Sequence, residues 1–176
     1  MNGKYTRTYS QKFIEAIKPE IIGNEFSPYY PVVLTENAQY FEESSVQSNC
    51  VKTYVNKPSS LIISLRKDGD DSNVRATIEY LIRKDGEDIN IKRVQTLGRF
   101  NKSLDPSWNE AINQLDNRIN VFLKNGLFTT PKVSVELAGK VIESGTKFNN
   151  YGTLVWDNES ITGVVGQPLN DNELNF

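Results

Sequence analysis

Asp105-Pro-Ser-Trp-Asn-Glu-Ala-Ile-Asn-Gln-Leu-Asp-Asn-Arg-Ile-Asn-Val-Phe122 carries the clearest periodicity in the chain. Trp108, Ile112, Leu115, Ile119 and Phe122 recur at spacings of four, three, four and three, which places all five on one helical face. Asp105 supplies an acceptor for the first free N–H groups, Pro106 suits the first helical position, and Gly126 follows as a stop. The spacing predicts a long amphipathic helix over 106–123 that needs an apolar surface to lie on.

The residues before it supply that surface. Leu61-Ile-Ile-Ser-Leu-Arg66 is a short apolar run followed by a polar turn at Lys67–Asp71. Between Asn73 and Arg83, Val74, Ala76, Ile78, Tyr80 and Ile82 alternate on one face, which predicts a strand. Asp85-Gly86 signals a hairpin turn, and Ile89–Thr96 returns as a third strand. Its alternation holds through Ile89 and Ile91 and changes parity at Val94, the signature of a bulge. The fold class is therefore α+β, a small antiparallel sheet packed on a long helix.

The flanks read differently. Residues 1–49 are expected to form an extended arm with one short helix. That helix is Gln11–Lys18, capped by Ser10, with Phe13, Ile14 and Ile17 on one face and Pro19 closing it. Phe26-Ser-Pro-Tyr-Tyr-Pro31 is proline-punctuated and extended, suited to anchoring on the core. Residues 50–126 form the core unit. Residues 127–176 are expected to form C-terminal hairpins and an acidic tail: Val133, Val135 and Leu137 alternate, Ala138-Gly139 turns, and Val141-Ile142 returns. A second pair is expected from Leu154–Trp156 and Ile161–Val165. This C-terminal part holds two Lys against six Asp or Glu from 133 onward.

Composition excludes several chemistries. The 176 residues contain no histidine, so Ser-His-Asp and Cys-His catalysis and every histidine metal site are ruled out. One cysteine, Cys50, permits neither an internal disulfide nor a cysteine zinc cage. The net charge of −2 exerts no global pull on nucleic acid or acidic membranes. No window reaches the roughly 18 apolar residues of a membrane span, and the N-terminus lacks a signal-peptide stretch. The chain thus reads as soluble, cytoplasmic or carried in a virion, with no cofactor, metal or membrane called for. Asp68, Gly69, Asp70 and Asp71 hint at calcium but lack a downstream glutamate, and read as a polar turn.

Four segments in order carry a resemblance: Asn49-Cys-Val-Lys-Thr-Tyr54, Leu61-Ile-Ile-Ser-Leu-Arg66, Ala76-Thr-Ile-Glu-Tyr80 and Val94-Gln-Thr-Leu-Gly-Arg-Phe-Asn101. With the Trp108 helix after them, they resemble the PcfJ-like domain of conjugative plasmids and phages, over about residues 48–120. The resemblance implies a mobile-element context. That family commonly has His directly before the Cys, where this chain has Asn49, so thiol activation by that imidazole is excluded.

Six residues are candidates for chemistry. Cys50 is either a nucleophile or a small core residue. Arg66 and Glu79, on neighbouring strands, are either a cross-strand ion pair or an anion site in which Glu79 orients Arg66. Gln95, Arg99 and Asn101, where the third strand gives way to the loop before the helix, either hold that loop together or read a base or peptide edge, with Gly98 allowing a positive φ or a close backbone approach. Arg75, Thr77, Glu79, Leu81 and Arg83 share the face opposite the apolar one. With Lys92, Arg93, Arg99 and Lys102 they form either a phosphate-contacting or a solvated sheet face. Three functions remain open. The first is a non-enzymatic accessory protein acting through protein or nucleic-acid contacts. The second is a virion or assembly component whose polar arms wrap neighbouring subunits. The third is an enzyme using Cys50 or Arg66/Glu79.

Overall fold

The computed structural model describes residues 3–18, 23–24, 27–67 and 74–168. In chain order the elements are β1 (Lys4–Thr8), α1 (Gln11–Ala16), β2 (Gly23–Asn24), β3 (Ser27–Val33), α2 (Asn37–Gln47), β4 (Ser60–Lys67), β5 (Arg75–Asp85) and β6 (Asp88–Leu97). They continue with α3 (Asn109–Lys124), β7 (Lys132–Leu137), β8 (Lys140–Ser144), β9 (Thr146–Phe148), β10 (Leu154–Trp156) and α4 (Thr162–Val165). A 3-10 turn at Val51–Asn56 joins α2 to β4. Pro19, Phe26, the turn from Asp68 with Asn73, and the tail from 169 lie outside the described residues.

A five-stranded antiparallel sheet in the order β2-β3-β4-β5-β6 forms the centre. The two-residue turn between Asp85 and Asp88 closes the β5–β6 hairpin, with Gly86 at φ +60. The parity change at Val94 is a bulge: Glu79 pairs with Gln95 but Tyr80 with Arg93, leaving Val94 as the extra residue.

On one face, Leu61, Ile63, Leu65, Ala76, Ile78, Tyr80, Ile82 and Ile91 meet Ala111, Ile112, Leu115 and Ile119 of α3. Phe13 of α1 and Ile17, which follows that helix, join them, and Phe13 packs edge-on against Phe122 at 5.4 Å. The long helix thus lies where its stripe predicts. Asp105 accepts from Ser107 N–H at 2.9 Å, a bond that holds its carboxyl below the ordinary range.

The opposite face is covered as well. A second core joins Ile62 and Leu34 to Tyr40 of α2, to Val51, Tyr54 and Val55 of the 3-10 turn, and to Tyr5, Val133 and Val135. The last three belong to a separate three-stranded sheet in the order β1-β7-β8. Trp156, Ile161 and Val165 complete it. The central sheet is therefore an inner layer.

The flanks depart from expectation at two places. The stretch read as an arm supplies β1, paired with β7 from Lys4–Glu136 to Thr8–Lys132, and also the 11-residue helix α2. Within α2 the buried stripe is Tyr40, Glu43, Ser44 and Gln47, helical in spacing but mostly polar, so an apolar periodicity does not reveal it. A signal at its start was Glu36-x-x-Gln39: the Gln39 carboxamide accepts from the Glu36 N–H at 3.1 Å. At the C-terminal end, Leu154–Trp156 pairs with Thr146–Phe148 rather than with 161–165. There the Asn158 side chain accepts from Ser160 N–H at 3.0 Å and starts helical turns that bury Ile161 and Val165.

Leu115 is fully buried at the centre of the helix–sheet contact. Leu115→Ala is expected to lower unfolding free energy by about 2–5 kcal/mol, measured by denaturant titration with unchanged m-value. A loss well under ~1 kcal/mol would contradict this placement.

Candidate functional site

Arg75, Thr77 and Glu79, expected on a solvated or phosphate-contacting face, are all buried, because the second layer lies on that side of β5. Buried charges need partners, and each has them. Glu43, projecting from α2, accepts from Arg75 Nη1 at 2.8 Å and from Thr77 Oγ1 at 2.7 Å, with Arg66 Nη2 at 3.8 Å. The Gln47 amide donates to the Arg75 carbonyl at 2.9 Å, a second tie between α2 and β5.

Glu79 is the centre of a neighbouring group. It accepts from Ser60 Oγ and from Gln95 Nε2, the latter at 2.9 Å, and the buried Lys57 ammonium lies 3.6 Å away. Arg66 and Glu79 do not form the expected cross-strand pair. The register sets Arg66 opposite Arg75 and Glu79 opposite Ile62, and Arg66 turns to Glu43 instead.

Arg7 of β1 occupies a third position under the same layer. Its Nε donates to Tyr5 Oη at 3.1 Å. Its two terminal nitrogens reach the carbonyls of Ser60 at 2.7 Å, Val55 at 3.2 Å and Lys57 at 3.1 Å, with Tyr9 Oη at 3.4 Å. Tyr5, Tyr40 and Trp156 present their rings at 5.8–5.9 Å. Burial opposes the charge, but the oxygens of Tyr40, Tyr5 and Tyr9 outweigh it and hold the guanidinium pKa above its ordinary value.

Cys50 is exposed, which corrects its reading as a small core residue. The following 3-10 turn directs Val51, Tyr54 and Val55 inward and leaves Cys50 outside. A cavity of about 360 Å³ at Thr8, Lys132–Ser134 and Glu143–Gly145 is lined by neither Cys50 nor Glu79. Among the described residues no cluster of three acidic or cysteine side chains is placed to hold a metal. No described helix is long and apolar enough to cross a membrane.

The remaining candidates divide at Gly98. Gln95 points into the interior, donating to Glu79 and to Tyr54 Oη at 3.5 Å. Beyond Gly98 the chain turns outward, and Arg99, Phe100, Asn101 and Lys102 are exposed. The Gly98 N–H donates to the Lys102 carbonyl at 2.8 Å and closes the turn. Gly98 itself has φ −86, so its role is close approach: an added Cβ would stand 3.1 Å from Leu104 Cδ2. The unusual backbone belongs to Phe100 and Asn101, both at φ +59. A phenylalanine there is strained, yet Phe100 is 59 % exposed, and the Arg99 guanidinium lies 5.1 Å from its ring. This turn packs beside α2, whose Phe41 is 47 % exposed with Lys52 Nζ 6.0 Å from its ring. Phe41 and Phe100 were missed in the sequence because neither belongs to an apolar periodicity.

No protein-family model matches the chain, and no curated protein or solved structure is found to be similar to it.

The buried tyrosines give a pH signature. Burial raises the Tyr40 and Tyr80 hydroxyls above the ordinary phenol range, and for Tyr80 the Asp116 carboxylate adds to it. The folded chain keeps these protons, whereas the unfolded chain loses them above pH ~10. Stability is then complete below about pH 10 and falls as pH rises, by about 1.4 kcal/mol per pH unit for each tyrosine. Tyr80→Phe is expected to reduce that slope by about one proton in denaturant titrations run from neutral to alkaline pH. An unchanged slope would refute the assignment.

Proposed function

We propose that the protein is a non-enzymatic binding protein, an accessory factor of a mobile genetic element, whose contact surface is the 99–102 turn with the adjoining flank of α2. The observation that carries this reading is Phe100, an aromatic side chain held in solvent by a left-handed backbone. Strained residues persist only where the surroundings over-determine them, and they collect at functional positions. An exposed, pre-positioned aromatic beside arginine is the composition of a binding anchor.

Two of the residues that would serve an enzyme, Glu79 and Arg66, take part in internal contacts, and the third, Cys50, is exposed but has no histidine in the chain to activate it. The mobile-element context rests on the motif resemblance to the PcfJ-like domain.

A second reading, an assembly component, draws on the β9–β10 hairpin tip. Tyr151 is 84 % exposed there while its backbone is clamped: Asn149 Oδ1 accepts from the Tyr151 and Thr153 N–H groups, and Arg83 donates to the Tyr151 carbonyl at 2.9 Å. A rigidly presented aromatic suits a subunit contact.

A photo-crosslinking phenylalanine analogue at position 100, compared with one at Val121 on the opposite layer, 49 % exposed against 59 % for Phe100, tests the primary reading in cells. Adducts are expected at 100 and not at 121. Equal adducts at both positions, or none at 100, would overturn it.

A further inference from the structure

The flank carrying Phe100 has a repeated chemistry. Two exposed phenylalanines, Phe41 and Phe100, each have a basic group on the ring face, Lys52 at 6.0 Å and Arg99 at 5.1 Å, with about half of each residue still open to solvent. Phe41 stands on α2, and the turn that bears Phe100 packs beside the same helix. Lys52 N–H donates to Ser44 Oγ at 2.6 Å, fixing the 51–56 turn on α2. Tyr54 of that turn receives Gln95 of β6, four residues before Arg99. The 99–102 turn itself lies against α2. Lys102, also exposed, adds a third cation. The exposed acid nearest in sequence to Phe41, Glu42, is engaged by Arg75 at 3.4 Å.

We infer that this flank binds single-stranded nucleic acid, with bases stacked on Phe41 and Phe100 and phosphates met by Lys52, Arg99 and Lys102. The inference rests on the binding surface proposed above and names its ligand. Aromatic rings interleaved with cations are what an unpaired strand requires, because each base offers a π-face and each linkage a negative charge. Lysine is depleted at protein–protein contacts, so two of the three cations here speak against a protein ligand. A duplex hides its base faces in the stack, which leaves the rings nothing to bind. The left-handed backbone at Phe100 holds one ring ready, so little freedom is lost on binding.

Fluorescence anisotropy of the full chain with a labelled dT oligonucleotide of about 12 nucleotides tests this. Binding is expected to weaken with salt, with a log–log slope of roughly −2 for three cations at about −0.7 per phosphate. Phe41→Ala and Phe100→Gly are each expected to lower affinity roughly tenfold to a hundredfold. Glycine adopts the φ of position 100 freely, so the second variant keeps the fold while removing the ring. No binding at low salt overturns the inference, as does binding that survives removal of both rings. If the probe fails while position 100 still crosslinks to protein, only the ligand assignment falls. If it fails and position 100 forms no adduct, the binding surface falls with it.

Discussion

A carboxylate on α2 decides how the two layers of this protein meet. Glu43 reaches down to β5 and takes Arg75 and Thr77 together, with Arg66 of β4 close by. None of these groups except Arg66 retains appreciable contact with water. Removing such charges from solvent costs several kcal/mol per ion, and their attraction offsets this only in good geometry. The arrangement therefore constrains more than it stabilises: if α2 shifted along the sheet, it would strand a carboxylate and a guanidinium in a dry interior. Glu79 with Lys57, Ser60 and Gln95, and Arg7 on three carbonyls, act in the same way at the other end of the layer.

This face was the least legible part of the fold. The helix at 109–124 and the strands around it follow from apolar periodicity, and even the bulge at Val94 is visible as a change of parity. Arg75, Thr77 and Glu79 have the same alternation a wetted sheet would have. Buried, mutually satisfied charges cannot be told from solvated ones by polarity along a single strand, since the difference lies in a partner 32 residues earlier, Glu43. For the same reason α2 was hidden, as it faces the core with Glu43, Ser44 and Gln47. Pairing of β10 with β9 was missed because 161–165 has strand-like composition, while its helical start is set by one side-chain cap at Asn158.

The site divides along the same line. Gln95 and Glu79, which looked like surface chemistry, belong to the internal network. Arg99 and Asn101 stayed outside, on a turn whose most telling residue, Phe100, was legible only through its backbone. A packed polar interior and an outward aromatic turn are linked: β6 is held at Gln95 by Glu79 and Tyr54, and the turn is presented from that fixed point.

The burial of the polar sheet face is tested most directly by a double-mutant cycle of Glu43→Gln and Arg75→Leu, read by denaturant unfolding. A coupling energy above about 2 kcal/mol is predicted, because either single change takes from a buried charge an opposite charge held at 2.8 Å. A coupling of roughly 0–1 kcal/mol, the value of an exposed pair, would contradict the account.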